Sequence, residues 1–173
     1  MVDLTPYAKK LFLPTGFDPP RRLEFDDIAA HAISRDDLAA DVRGINASLD
    51  LIRETRGGHW PTGPVTEEEN YVDLVWHECE FRDHKSFTFV LEARGRGYIG
   101  CAYLYPLGVR APLTEELARH DVDVSWWVTP DAYEDGYYDR VFHALERWVV
   151  TDYPFTRPYY SNLRKPAGGG PSR

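Results

Sequence analysis

Asp73, His77, Glu80 and His84 have the residue types and the spacing for proton transfer. On a helix, at about 100° per residue, they fall within a sector roughly 60° wide. A histidine and a carboxylate at i and i+3 are neighbours, so Glu80 can hold His77 as a poised base. Tyr71, Leu74, Val75, Cys79 and Phe81 take the opposite, apolar arc. The stripe also has two plainer readings. One is a solvated polar face; the other is a metal site, disfavoured because one helix seldom supplies enough ligands. A second group lies at 121–129, where Asp121, Asp123, Ser125 and Trp127 share one face of a strand and Val122, Val124, Trp126 and Val128 the other. An aspartate titrates near about 4, so Asp123 serves as a base at neutral pH only if buried; a solvent-facing edge is the alternative. Trp60, in the turn-rich stretch GGHWPTGP, is placed either to cover a ligand or to pack.

Periodicity and punctuation outline the elements that must position these groups. Leu23–Ile33 reads as a strand, and Ser34 as the cap of helical pattern that runs to about Arg56 with a break near Gly44. Thr66 and Glu69 have the spacing of a capping box, which predicts a helix over 67–83. SFTFVLEA (86–93) alternates as a half-buried strand, and Arg94-Gly95-Arg96-Gly97 turns it into YIGCAYLYP (98–106). That second strand is apolar on both faces and therefore central. DVDVSWWVTP (121–130) is a further strand, ended by Pro130. Tyr138, Val141, Phe142, Leu145, Trp148 and Val149 mark an amphipathic helix over about 135–151, and PYYSN (158–162) a last short strand. The order predicts an α/β fold: a mixed central sheet with helices on both faces and a right-handed final crossover.

The 173 residues suit one domain over 23–162, with an irregular arm at 1–22 and a flexible Gly/Pro tail at 163–173. The net charge of −8 argues against nucleic acid or an anionic membrane as partner, since both demand a basic face. No apolar run approaches the ~18 residues of a membrane span, and the start has no signal-peptide core. Cys79 and Cys101 make no disulfide framework, so a reduced, cytoplasmic protein is expected.

With VDVSWWVTPDAYEDGYYDRVFHALERW at its centre, this order resembles the GNAT superfamily of acyl-CoA-dependent N-acetyltransferases. In that family a strand ending V-x-P leads into Arg/Gln-x-x-Gly-x-Gly/Ala at the start of a helix, and the loop N–H groups hold the pyrophosphate of acetyl-CoA. Val128, Thr129 and Pro130 match the strand end, and Gly136 the first glycine. The run GFDPP…WP…DLVWHECEF…SFTFVLEARGRGYIGCAYLYP looks like a compact subgroup with a degenerate loop and a shortened C-terminus.

The resemblance implies acetyl-CoA as co-substrate, held by Trp127, Val128, Thr129, Gly136, Tyr137 and Tyr138, and a small amine as acceptor. The stripe and the strand supply Glu80, His77 or Asp123 to deprotonate the amine, with Trp60, Asp73, Asp121 and His84 around it; no metal is implied. Several positions depart from the pattern. Tyr133 stands where Arg or Gln is expected, Tyr138 where a small residue admits phosphate, and Glu134 and Asp135 add negative charge. Two unscreened carboxylates within about 6 Å of a phosphate cost a few kcal/mol at an effective dielectric of ~20. The eleven residues after Asn162 are too few for the family's further helix and two strands, whose Tyr often protonates the thiolate. The alternative expectation is therefore a non-catalytic module for ligand binding or dimerisation, a homodimer covering the open sheet edge.

Overall fold

The computed structural model describes residues 10–167. Its centre is one six-stranded sheet in sequence order: β1 (Arg22–Phe25), β2 (Ile28–Ala32), β3 (Phe87–Ala93), β4 (Gly97–Tyr105), β5 (Val122–Val128) and β6 (Pro158–Tyr160). All neighbours are antiparallel except β5 and β6, which run parallel across the crossover helix. The fold is α/β with a mixed sheet, as the element order predicts. The single strand expected over 23–33 is instead a hairpin. Asp26 takes a left-handed backbone (φ 58°), which Asp tolerates, and it turns β1 into β2 so that Phe25 faces Ile28.

Ser34 and Asp37 form a capping box that opens one 3-10 turn and then α1 (Leu38–Ala47). The helical run breaks at Ser48, before α2 (Leu49–Thr55), and passes straight through Gly44. Gly44 is needed for closeness rather than for a break: a Cβ there would lie 3.1 Å from Cζ of Tyr98, whose hydroxyl donates to Asp41 Oδ1 at 2.6 Å. Thr66 and Glu69 cap α3 (Glu67–Arg82) reciprocally, as their spacing predicts. After β5 come α4 (Pro130–Glu134) and α5 (Tyr137–Thr151).

The sheet separates two cores. On one face Leu91, Ala102, Val124 and Trp126 pack with Val141, Leu145 and Trp148 of α5. On the other, Val90, Cys101, Tyr103 and Trp127 pack with Ile45, Ile52 and Leu74 of the first three helices. Ile99 and Ala102 both face α5, so the two-residue alternation of β4 switches phase between them. The register shift at Leu91/Glu92 and Gly100 accomplish this. Gly100 has φ 145°, and a Cβ there would come within 2.8 Å of Val128 Cα. The N-terminal segment joins the first core through Leu11, with Phe17 beside Tyr153. Residues 1–9 of the expected arm and 168–173 of the expected tail lie outside the described residues.

Candidate active site

The helix α3 buries Asn70, Leu74, His77 and Phe81, while Tyr71, Val72 and Trp76 are exposed. The expected apolar arc is therefore rolled: the Asp73–His77–Glu80 stripe lies at the seam between helix and sheet. The cause is a polar partner on β3, since His77 Nδ1 lies 3.1 Å from the Thr88 hydroxyl and only 8% of His77 is exposed. Its Nε2 lies 3.4 Å from Asp73 Oδ2 and its Nδ1 3.7 Å from Glu80 Oε2. Burial pulls the imidazole pKa down, but the hydrogen bonds and charges of Asp73 and Glu80 outweigh it and push it up to about 9. At neutral pH His77 is thus an imidazolium. Glu80 is held below its usual range chiefly by His77, and the Ser86 hydroxyl donates to its Oε2 at 2.7 Å.

These groups line a cavity of about 640 Å³. Asp73, His77, Glu80 and His84 all reach it, joined by Trp76, Ser86 and Tyr105. His84 does so from outside the helix, which ends at Arg82; its backbone is left-handed (φ 55°). The spacing of the stripe carried four of the wall residues, whereas Trp76, Ser86 and Tyr105 gave no local signal. The cavity lies at the Tyr105 end of β4, level with Asp123, while the V-x-P end at Val128 pairs with Gly100 at the other end. Among the described residues, no group of three His, Cys, Asp or Glu side chains is arranged to hold a metal ion.

Asp123 is on an interior strand, not an edge, and is 2% exposed. Its carboxylate accepts from the Ser161 hydroxyl, which in turn accepts from Arg110. Burial raises the Asp123 pKa, and Arg110 and Arg56 oppose that rise. Asp123 is not in the cavity wall, and neither is Asp121. The Asp121 carboxylate is spent on the backbone N–H groups of Thr156 and Arg157, where it shapes the entry to β6. Trp60 lines a separate hollow of about 380 Å³ with Asn70 and Asp73, and its ring lies 5.9 Å from the buried Arg56 guanidinium. Arg56 stacks more closely on Tyr103, at 3.9 Å, and donates to Ser125.

The six residues expected to hold the co-substrate surround the far end of β5. Trp127 is fully buried with its indole N–H donating to Tyr103, and Val128 is buried beside it. The Thr129 N–H donates to Ile99. Gly136 takes φ 80° as the residue before α5. The Tyr137 hydroxyl donates to Asp27, and Tyr138 is buried against Trp126. Asp131 and Asp135 are both ion-paired with Arg96, so part of the expected acidic penalty is neutralised by a residue of the β3–β4 turn.

Solved structures with this arrangement are known. The chain is similar to RimL, a ribosomal-protein alpha-N-acetyltransferase solved with coenzyme A (TM-score 0.57, 10% identity, 76% of this chain and 70% of that one). It is similar to a ribosomal-protein-S5-alanine acetyltransferase from Vibrio fischeri (0.55, 13%, 74% and 66%). It is also similar to the microcin C7 self-immunity acetyltransferase MccE in complex with acetyl-CoA and AMP (0.55, 8%, 75% and 67%). The fold is that of the GNAT acetyltransferases. No protein-family model matches the chain, and no curated protein matches it.

The resemblance implies that the pyrophosphate meets the loop before α5 and that the pantetheine arm lies along the strand ending at Val128. Here backbone pairing of β5 with β6 stops at Val124 and Tyr160. The next groups of β5 are already satisfied: Trp126 N–H donates to Asn162 Oδ1 at 3.1 Å, and Trp126 C=O accepts from Asn162 Nδ2 at 2.9 Å. In the loop, the N–H groups of Tyr133, Asp135 and Gly136 are used within α4 and its end. The residues present suit the co-substrate in kind, but the Trp126 backbone groups that a pantetheine arm would meet are already bonded to Asn162.

Proposed function

We propose that the chain is an N-acyltransferase that moves an acetyl group from acetyl-CoA to a small amine, and that the amine is received in the cavity beside α3. One observation carries this reading: on a GNAT fold, a buried histidine with both ring nitrogens facing carboxylates forms the wall of a cavity of about 640 Å³. The thioester of acetyl-CoA supplies the activated acyl group. The remaining tasks fall to this chain's own side chains. Asp73, Glu80 and Asp83 offer carboxylates to an ammonium group against Lys10, Lys85 and the His77 imidazolium of the same wall, and the exposed indole of Trp76 offers it a π face. A base that titrates at about 9 suits a proton from an amine, since α-amines titrate near ~8 and alkylamines near ~10. His77 accepts that proton only after losing its own, so its activity rises with pH. The cavity is level with Asp123, three residues along β5 from Trp126, a gap of about 10 Å. A flexible, chain-like amine suits that gap, and Ser125 and Arg56, buried between its ends, must move aside for it.

The test is acetyl transfer to a panel of diamines, amino-acid amides and short peptides between pH 6.5 and 10. Turnover that climbs through pH 9, with His77→Gln losing the part of the climb that the acceptor's own deprotonation does not supply, supports the reading. A flat profile, or no transfer to any amine, rejects it. A non-catalytic ligand-binding module is favoured by a different observation, the occupation of Trp126 by Asn162; it predicts amine binding without turnover.

A further inference from the structure

Beyond Tyr160 the chain does not trail away. The tail expected to begin at Leu163 is tied down through Ala167. Asn162 is 1% exposed, and its amide meets both backbone groups of Trp126 in the way a strand neighbour would. Its Nδ2 also donates to the Tyr138 hydroxyl at 2.7 Å, and that hydroxyl donates to Arg164 C=O at 2.7 Å. The Leu163 and Arg164 N–H groups donate to Arg56 and Thr55 C=O at the end of α2. The Arg164 guanidinium bonds the Tyr133 hydroxyl, and the Ala167 N–H donates to Asp139 Oδ1 in the first turn of α5. The segment therefore crosses both parts of the co-substrate cleft, the strand groups of β5 and the N-terminus of α5.

We propose that residues 161–167 are an internal strap that holds this cleft shut, with Asn162 as its latch, and that coenzyme A binds by displacing it. The proposal rests on the acyltransferase reading. Two features distinguish a strap from permanent packing. The fastening is mainly polar: Leu163 is 70% exposed, Arg164 and Lys165 are exposed too, and Pro166 is the one apolar residue of the segment that is buried. The latch is also an amide, the same chemical group as the two amides of a pantetheine arm, so the incoming ligand can restore to Trp126 the bonds that Asn162 gives up.

The experiment titrates the full chain with coenzyme A by calorimetry and follows amide hydrogen exchange of residues 161–167. It compares the parent with Asn162→Ala and with the milder Tyr138→Phe, each checked for a cooperative melt. We expect weak binding by the parent, at least tenfold tighter binding by Asn162→Ala, a smaller gain for Tyr138→Phe, and faster exchange at Leu163 and Arg164 once coenzyme A is bound. Equal or weaker binding by both variants overturns the strap, as does binding that leaves 161–167 equally or better protected. Failure of both variants to bind at millimolar coenzyme A also overturns it, because an unlatched cleft that stays closed is not closed by the latch. Acetyl transfer separates this from the parent reading. Tighter binding without transfer keeps the strap and removes the acyltransferase; transfer with unchanged affinity does the reverse.

Discussion

At the scale of single residues, His77 is the group whose environment departs furthest from its surroundings in sequence. Its pKa rises from 6.5 to about 9, so the stability its proton adds is full below pH 6.5 and is lost as pH rises through 9. A shift of that size corresponds to about 3 kcal/mol at most. Glu80, held below its usual 4.5, loses its share as pH falls, and the two shares describe one interaction rather than two. The melting temperature should therefore fall between pH 6.5 and 9.5, and His77→Gln should flatten that slope; an unchanged slope in the variant assigns the effect elsewhere. Glu80→Gln removes one of two counter-charges from a buried imidazolium and leaves the Ser86 hydroxyl a neutral amide oxygen as acceptor. It should lower turnover about 10²–10⁴-fold, the usual contribution of a positioned acid–base group. Unlike a change on an open surface, it should also cost about 1–2 kcal/mol in urea unfolding. Lost turnover with unaltered stability would place Glu80 in the chemistry but outside the pair.

At the scale of elements, two glycines decide how closely the layers meet. Gly44→Ala gains up to about 1 kcal/mol of helix propensity. It also drives a methyl into the Tyr98 ring, which its bond to Asp41 keeps from retreating. We expect net destabilisation of about 1–3 kcal/mol from overpacking, measured by urea unfolding. Relief by Tyr98→Ala in the double variant would identify the ring as the obstacle. Gly100→Ala should be worse, because its obstacle is the backbone of β5, which has no rotamer to escape into. Thr66→Ala, by contrast, removes only one side of a capping box and should cost about 1 kcal/mol.

At the scale of the whole molecule, the stripe on α3 and the latch at Asn162 lie at different ends of β5, in different cores. Sites more than about 7–10 Å apart with no shared partners add within roughly 0.5 kcal/mol. The stability changes of Glu80→Gln and Asn162→Ala should therefore sum in the double variant. A larger coupling, seen in urea midpoints, would mean that β5 transmits strain between the cavity and the cleft.

Local chemistry determined much of this protein before any tertiary contact. The capping pairs Ser34–Asp37 and Thr66–Glu69, the 3.6-residue stripe of α5 and the alternation of β3 each depend on neighbours within one or two turns. They specify the element order, the mixed sheet and the grouping of Asp73, His77, Glu80 and His84. What lay beyond the sequence depends on partners far along the chain. The roll of α3 follows from Thr88, and the phase switch of β4 from the approach of β5 to Gly100. The neutralisation of Asp131 and Asp135 follows from Arg96. Asp123 looked exposed because alternation marks two faces without saying which are covered; β6 and Arg110 bury it. Asn162 looked like the end of a strand, yet its amide reaches back to β5 across 36 residues. Periodicity is a property of a segment, while burial and charge balance belong to whichever segments the fold sets side by side.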